Sequence, residues 1–154
     1  MAIPNVGEKA PDFKSVNQKG EAVKLSALKG EPVVLYFYPK DDTPGCTVEA
    51  CEFRDGYAKL KKLAVLFGVS PDPAKSHVKF IDKFKLPFDL LADEDKSVAK
   101  AYGVWVKKSM YGREYMGVAR TTFVIGKDGK IAHVFEKVKP QGHAEEVLAV
   151  LQAL

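Results

Sequence analysis

The stretch Pro32-Val33-Val34-Leu35-Tyr36-Phe37-Tyr38-Pro39-Lys40-Asp41-Asp42-Thr43-Pro44-Gly45-Cys46 decides the fold. Its first seven residues form an unbroken apolar, β-branched and aromatic run that stops at Pro39, the pattern of a strand buried on both faces. Thr43 then suits a helix N-cap and Pro44 the first helical position, so a helix is expected from there to about Lys62. Phe53, Tyr57, Leu60 and Leu63 recur at spacings of four and three and supply its apolar stripe. A buried strand that runs straight into a helix is the unit from which α/β folds are made.

Working outward, the same alternation continues. Ala10 to Leu28 reads as a turn-rich start with two short strands around Asn17-Gln18-Lys19-Gly20, an N-terminal β-hairpin extension. Ala64 to Ser70 is a second buried strand, and Asp72-Pro73 opens a second helix with Val78, Ile81 and Phe84 facing inward. Phe88 to Leu91 is a short strand, followed by a brief helix over Ser97 to Tyr102. Thr121 to Ile125 and Lys130 to Val138 are strands joined across Lys127-Asp128-Gly129, whose Asp-Gly pair favours a tight hairpin. A last helix runs from about Gln141 to Ala153, with Val147, Leu148 and Leu151 on its core side. This order implies an α/β fold of thioredoxin type, a central mixed sheet with helices on both faces, in a single domain over residues 1–154.

The bulk numbers agree with one globular unit. A chain of 154 residues can bury a core without staples, and 46% hydrophobic with 29% charged residues is ordinary globular usage. The formal net charge is +4. Only Arg54, Arg113 and Arg120 among the cations are arginines and the lysines are scattered, which argues against a nucleic-acid surface. No apolar stretch suggests a membrane span, and Met1 to Gly7 has neither a signal peptide's nor a transit peptide's pattern, so a cytoplasmic location is expected. In a reducing compartment, two cysteines five residues apart point to redox chemistry rather than to a structural bridge.

Cys46 falls in the first turn of the expected helix, where unpaired N–H groups and the helix dipole favour a thiolate, the nucleophilic form. Gly45 gives access to the sulfur, the Thr43 hydroxyl can reach the same turn, and Pro39 and Pro44 restrict the loop. Five residues of intact helix rise about 7.5 Å, beyond the roughly 7 Å over which an unstrained disulfide closes. Cys46 and Cys51 therefore pair only if the helix between them unwinds. No metal is expected: the cysteine spacing is not that of a zinc site, and His77, His133 and His143 lie in separate elements.

Pro39-x-x-x-Thr43-x-x-Cys46 matches the active-site pattern of peroxiredoxins, and Thr43-Pro44-Gly45-Cys46-Thr47-x-Glu49-Ala50-Cys51 resembles the peroxiredoxin Q, or bacterioferritin-comigratory-protein, subfamily. The likeness extends through Phe53-Arg54-Asp55, Leu86-Pro87-Phe88, Tyr102-Gly103-Val104-Trp105 and Arg120-Thr121-Thr122-Phe123. The resemblance implies a thiol peroxidase acting on hydrogen peroxide and organic hydroperoxides. In it Cys46 becomes a sulfenic acid, Cys51 resolves it as an intrachain disulfide, and thioredoxin or a similar dithiol reductant recycles the pair. It implies further that Thr43, Gly45, Cys46 and Arg120 bind the peroxide, that Pro39 belongs to the catalytic loop, that no cofactor is needed, and that the chain acts as a monomer. A guanidinium at Arg120 would favour the thiolate and bind peroxide oxygens. Arg54, two helical turns from Cys46, is the poorer choice. Glu49 is a secondary candidate, since a carboxylate there opposes the thiolate unless paired, and Tyr38 and Trp105 are possible pocket walls. A protein thiol-disulfide exchanger, or a peroxide-sensing redox switch, is the alternative reading.

Overall fold

The run Val33–Phe37 is buried at every position, because side chains alternate across a strand and both faces of this one are covered. The computed structural model describes residues 2–154; Met1, the first residue of the expected domain and of the leader reading, lies outside them. In chain order the strands are β1 (Lys14–Val16), β2 (Ala22–Lys24), β3 (Val33–Phe37), β4 (Val65–Ser70), β5 (Asp89–Ala92), β6 (Trp105–Met110), β7 (Arg113–Val118), β8 (Thr121–Ile125) and β9 (Ile131–Phe135). The helices are α1 (Pro44–Leu60), α2 (Ala74–Phe84), α3 (Ser97–Ala101) and α4 (His143–Gln152), with a 3-10 turn over Leu25–Leu28.

The central sheet has the order β5-β4-β3-β8-β9. β3 is parallel to β4 and β4 to β5, whereas β8 is antiparallel to both β3 and β9, so the sheet is mixed. Val33, Leu35 and Phe37 face one core together with Phe13, Leu25, Phe123 and the α3 residues Val98 and Ala99. Val34, Tyr36 and Tyr38 face the other, against Cys46, Ala50, Phe53 and Leu60 of α1, Phe80 of α2 and Val147 and Leu151 of α4. Helices thus cover both faces, as the alternation predicts, and β1 and β2 form the expected N-terminal hairpin. The Phe53 ring stacks on Tyr36 with centroids 4.7 Å apart, which locks α1 onto the strand that precedes it.

Three expectations need correction. Val78 points outward, 40% exposed, and α2 buries His77 and Phe80 instead; the His77 ring finds hydrogen-bond partners on both nitrogens inside, so the helix turns that residue inward. Leu63 lies beyond the end of α1 and is 36% exposed, outside the stripe. The segment from Trp105 to Val118, to which the sequence pattern assigns no element, is the antiparallel hairpin β6–β7. Its strands mix polar and apolar residues, mostly exposed or half-buried, without a regular apolar alternation. The hairpin is fixed by a turn at Tyr111-Gly112, where both φ angles are positive at 52° and 77°, as a tight primed turn requires. Among the described residues no helix is long and apolar enough to cross a membrane.

Candidate active site

Cys46 is the third residue of α1 and is buried. Thr43 occupies the N-cap position with extended backbone and Pro44 the first helical position, as the sequence predicts. The first turn closes with Thr47 N donating to Thr43 O at 2.8 Å. The amides of the first helical turn have no partner within the helix and make its N-terminus electropositive. The Thr43 hydroxyl does not cap the helix: it donates to Lys40 O at 2.9 Å. Its proton is therefore committed to the loop, and what it offers a bound peroxide is its oxygen as an acceptor.

Arg120, in the residue before β8, reaches the sulfur. Its Nη2 lies 3.4 Å from Cys46 Sγ and its Nη1 donates to Glu49 Oε1 at 3.0 Å. The backbone that carries it is fixed by Val138 N donating to Arg120 O at 3.1 Å. Gly45 leaves room for this approach, since a Cβ there would lie 3.1 Å from Arg120 Nη2 and the guanidinium would have to shift by a few tenths of an ångström. Burial opposes the charge on Arg120, but Cys46 and Glu49 more than offset it and hold the guanidinium ionised.

Glu49 is the partner that makes this arrangement possible, and its side chain is only 1% exposed. Burial lifts its carboxyl to about 7 against the lowering effect of Arg120. Among the described residues its Oε2 has no hydrogen-bond partner, nor has the buried Tyr36 hydroxyl. The carboxylate that seemed to oppose the thiolate is thus spent on Arg120.

Lys108 of β6 is a group that the sequence pattern does not reveal. Its stem crosses Gly117 on β7, where a Cβ would meet Lys108 Cδ at 3.2 Å. Burial, with repulsion from Arg120, lowers its pKa, and Cys46 opposes that, which places a second cation in the field of the sulfur. Only the path of β6–β7 brings it there, and a lysine in a polar strand carries no local signal of this.

The remaining candidates separate cleanly. Cys51, half-buried farther along α1, and Cys46 are both free thiols. Pro39 is half-buried at the head of the loop. Tyr38 is fully buried and donates to Asp41 Oδ1 at 2.6 Å. Trp105 packs against the core on the other face of the sheet from Cys46, so it is no wall of this site. Arg54 donates to Phe84 O at 2.8 Å and to Asp55 at 3.0 Å, away from the sulfur. His133 packs at a tilt against the Phe135 ring, while His143 is buried against Thr122 with its pKa lowered by burial. Asp41, Asp72 and His77 bring potential ligand atoms within 4.8 Å of one another, and hydrogen bonds within the protein already engage them.

A thiol at a helix N-terminus, touched by an ion-paired guanidinium and set on a mixed sheet, is a nucleophile built for a small oxidant. Residues 6–134 match the model of the AhpC/TSA family. The chain belongs to that family. Within it the chain is a peroxiredoxin of the Q/Bcp branch and, as such, a thiol peroxidase. It is 49% identical to "Peroxiredoxin Bcp" of Bacillus subtilis over 96% of this chain and 94% of that one. It is 50% identical to a putative peroxiredoxin bcp of Coxiella burnetii, covering 95% and 97% of the two chains. Among solved structures, a peroxiredoxin Q of Xylella fastidiosa superposes with a TM-score of 0.92 at 36% identity over 97% of this chain and 96% of that one. Peroxiredoxin Q of Xanthomonas campestris gives 0.90 at 37% identity, with 96% and 97% covered. The thioredoxin-like architecture of this peroxiredoxin is thus shared along almost its full length.

Proposed function

We propose that Cys46 is the residue oxidised by the peroxide and Cys51 the residue that resolves it. The Cys46 thiolate attacks the terminal oxygen of ROOH. An S–O bond forms as the O–O bond breaks, and the alkoxide leaves as ROH after taking a proton. Arg120 Nη2, already 3.4 Å from the sulfur, donates to the oxygens between which charge shifts, and the Thr43 oxygen accepts from the peroxide O–H. Gly45 leaves room for the guanidinium, and Pro39 with Pro44 keeps the loop preset. The Cys51 thiolate then attacks the Cys46 sulfenic acid, forming the disulfide and releasing water. A dithiol protein of thioredoxin type restores both thiols while its own pair is oxidised.

The observation that carries this reading is the contact of Arg120 with both Cys46 and Glu49. Hydrogen peroxide and organic hydroperoxides are the substrate class; an X. campestris relative, 36% identical, has been described in terms of alkyl peroxide reduction. Both cysteines lie in one helix, so the cycle needs no second subunit, and we assign it to a cytoplasmic monomer acting as one domain over residues 1–154. Stopped-flow oxidation of the reduced protein and of Cys46→Ser and Cys51→Ser decides the roles. Mixed with a single equivalent of peroxide, Cys51→Ser should consume it and stop at the sulfenic acid, and Cys46→Ser should consume none. Rapid consumption by Cys46→Ser would overturn the assignment.

A further inference from the structure

The loop between β3 and α1 is tied down by a buried polar cluster that the peroxide chemistry does not use. Asp41 lies in its middle with its side chain 4% exposed. The carboxylate accepts from Tyr38 OH at 2.6 Å on Oδ1, and from Ser76 Oγ at 2.8 Å and His77 Nδ1 at 2.7 Å on Oδ2. The fully buried His77 ring places its other nitrogen 2.8 Å from Leu91 O on β5. A carbonyl oxygen only accepts, so Nε2 carries a proton, and the ring bridges the loop carboxyl to β5. The Asp41 amide in turn donates to Asp72 Oδ2 at 2.8 Å, and that oxygen also takes the Ser70 hydroxyl at 2.6 Å.

Every one of these partners belongs to β3's end, β4, β5, α2 or the turn before α2, and none to α1. The loop that carries Pro39 and Thr43 is therefore held by elements other than the helix that must unwind. Immediately after Asp41, Asp42 adopts a left-handed backbone with φ of 55°, a conformation that relaxes if the loop is released.

We propose that the Asp41–His77 pair is a positioning device that holds the loop in its peroxide-reducing form and delays the unwinding of α1. It sets how long the sulfenic acid persists before Cys51 reaches it. Two fates compete for that sulfenic acid. Attack by the Cys51 thiolate forms the disulfide and releases water, while attack of the sulfenate on a second ROOH forms an S–O bond, breaks O–O, and gives sulfinate and ROH. A clamped loop favours fast first oxidation and slow resolution; a released loop does the reverse. The inference rests on the proposed roles of Cys46 and Cys51.

The test uses the full chain, reduced and then mixed with a large excess of hydrogen peroxide. The first oxidation is followed by stopped flow and the products are separated as disulfide and sulfinate by intact mass. Asp41→Asn and His77→Gln should slow the first oxidation about tenfold and lower the sulfinate fraction several-fold. Ser76→Ala, which removes one donor of three, should move both in the same direction by less, so a folding failure of Asp41→Asn leaves the question open to measurement. Ile131→Val, a mild loss in the other core, should move neither. A sulfinate fraction that stays level or rises in the clamp variants, or that falls equally in Ile131→Val, overturns the proposal. Wild-type protein that consumes no peroxide would instead sink the assigned function.

Discussion

Glu49, one helical turn beyond Cys46, is buried and holds Arg120 through a 3.0 Å ion pair while the same guanidinium touches the sulfur. A carboxylate in that place would repel a thiolate if it stood alone. Paired, it fixes the planar donor fork so that one arm is committed to structure and the other to chemistry. Arg120→Met is expected to lower kcat/KM for hydrogen peroxide by about 100- to 1000-fold, the scale for losing an oriented charge donor. It should also destabilise the fold, but by less than a stranded charge would, because burial already holds the Glu49 carboxyl near 7 and without its partner it takes up a proton. A smaller rate loss in Arg120→Lys, which keeps the charge but not the fork, would separate charge from geometry.

The same pair predicts a pH dependence of stability. The folded-state value of Glu49 is raised to about 7, above that of the unfolded chain, so the folded state prefers the protonated carboxyl. Its favourable contribution is complete below about pH 4.5 and is lost as pH rises to about 7, on the order of 3 kcal/mol between them. Urea unfolding from pH 5 to 8 should show this decline superimposed on other groups, and Glu49→Gln should lack it. An equal decline in both proteins would show that the proton is bound elsewhere.

Gly45→Ala tests the approach of Arg120. The added methyl would lie 3.1 Å from Nη2 against the most constrained atom of the site, so the guanidinium must retreat by a few tenths of an ångström. The expected result is a fall of about tenfold in the rate of Cys46 oxidation with little loss of stability, since the helix itself gains from alanine. Unaltered oxidation kinetics would show that the guanidinium position is not tightly required.

How much of this was legible in the sequence follows from what each signal depends on. Buried parallel strands announce themselves through continuous apolar runs, so β3 and β4 and the helix after Pro44 were readable. So is the place of Cys46, because Thr43 at the N-cap and Pro44 at the first helical position mark a helix start by local backbone sterics, although the Thr43 hydroxyl turns to Lys40 O rather than to the helix. The β6–β7 hairpin is not, since its mixed polar and apolar strands carry no regular periodicity and its Tyr111-Gly112 turn is a weak local mark. For the same reason Lys108 escaped notice. Arg120 was found only through family resemblance, as no local rule brings a residue 74 positions away to a sulfur. Val78 is misplaced by the sequence pattern because a buried, hydrogen-bonded histidine looks polar in a sequence; its partner Asp41 is 36 residues distant.

Tyr36 gives a prediction of opposite sign to most. Its hydroxyl is buried without a partner among the described residues, and burial followed by the nearby Glu49 pushes its pKa well above the usual tyrosine value, so it stays protonated. An unmade hydrogen bond costs desolvation without return. Tyr36→Phe keeps the ring stacked on Phe53 and removes that cost, and should leave stability unchanged or raise it by up to about 1 kcal/mol. A loss above that in chemical denaturation would mean that the hydroxyl has a partner in solution.

The spacing of the two thiols makes the last prediction the most demanding. Both lie within the 17-residue helix α1, and five residues of intact helix separate their backbones by about 7.5 Å, past the reach of a bridge near 7 Å. Closing the disulfide must therefore cost about two turns, roughly the first seven residues of α1, including the cap at Thr43 and the turn that presents Cys46. Unwinding also pulls Glu49 away from Arg120 and takes Ala50 and Cys46 out of the core beside Tyr38. The oxidised protein should then show lower helix content by circular dichroism, faster amide exchange confined to residues 44–51, and lower stability than the reduced form despite its covalent link. Reduction should reverse all three together. Equal helix content and equal exchange in the two forms would mean that the sulfurs meet by some route other than unwinding, and the case for Cys51 as the resolving thiol would fail with it.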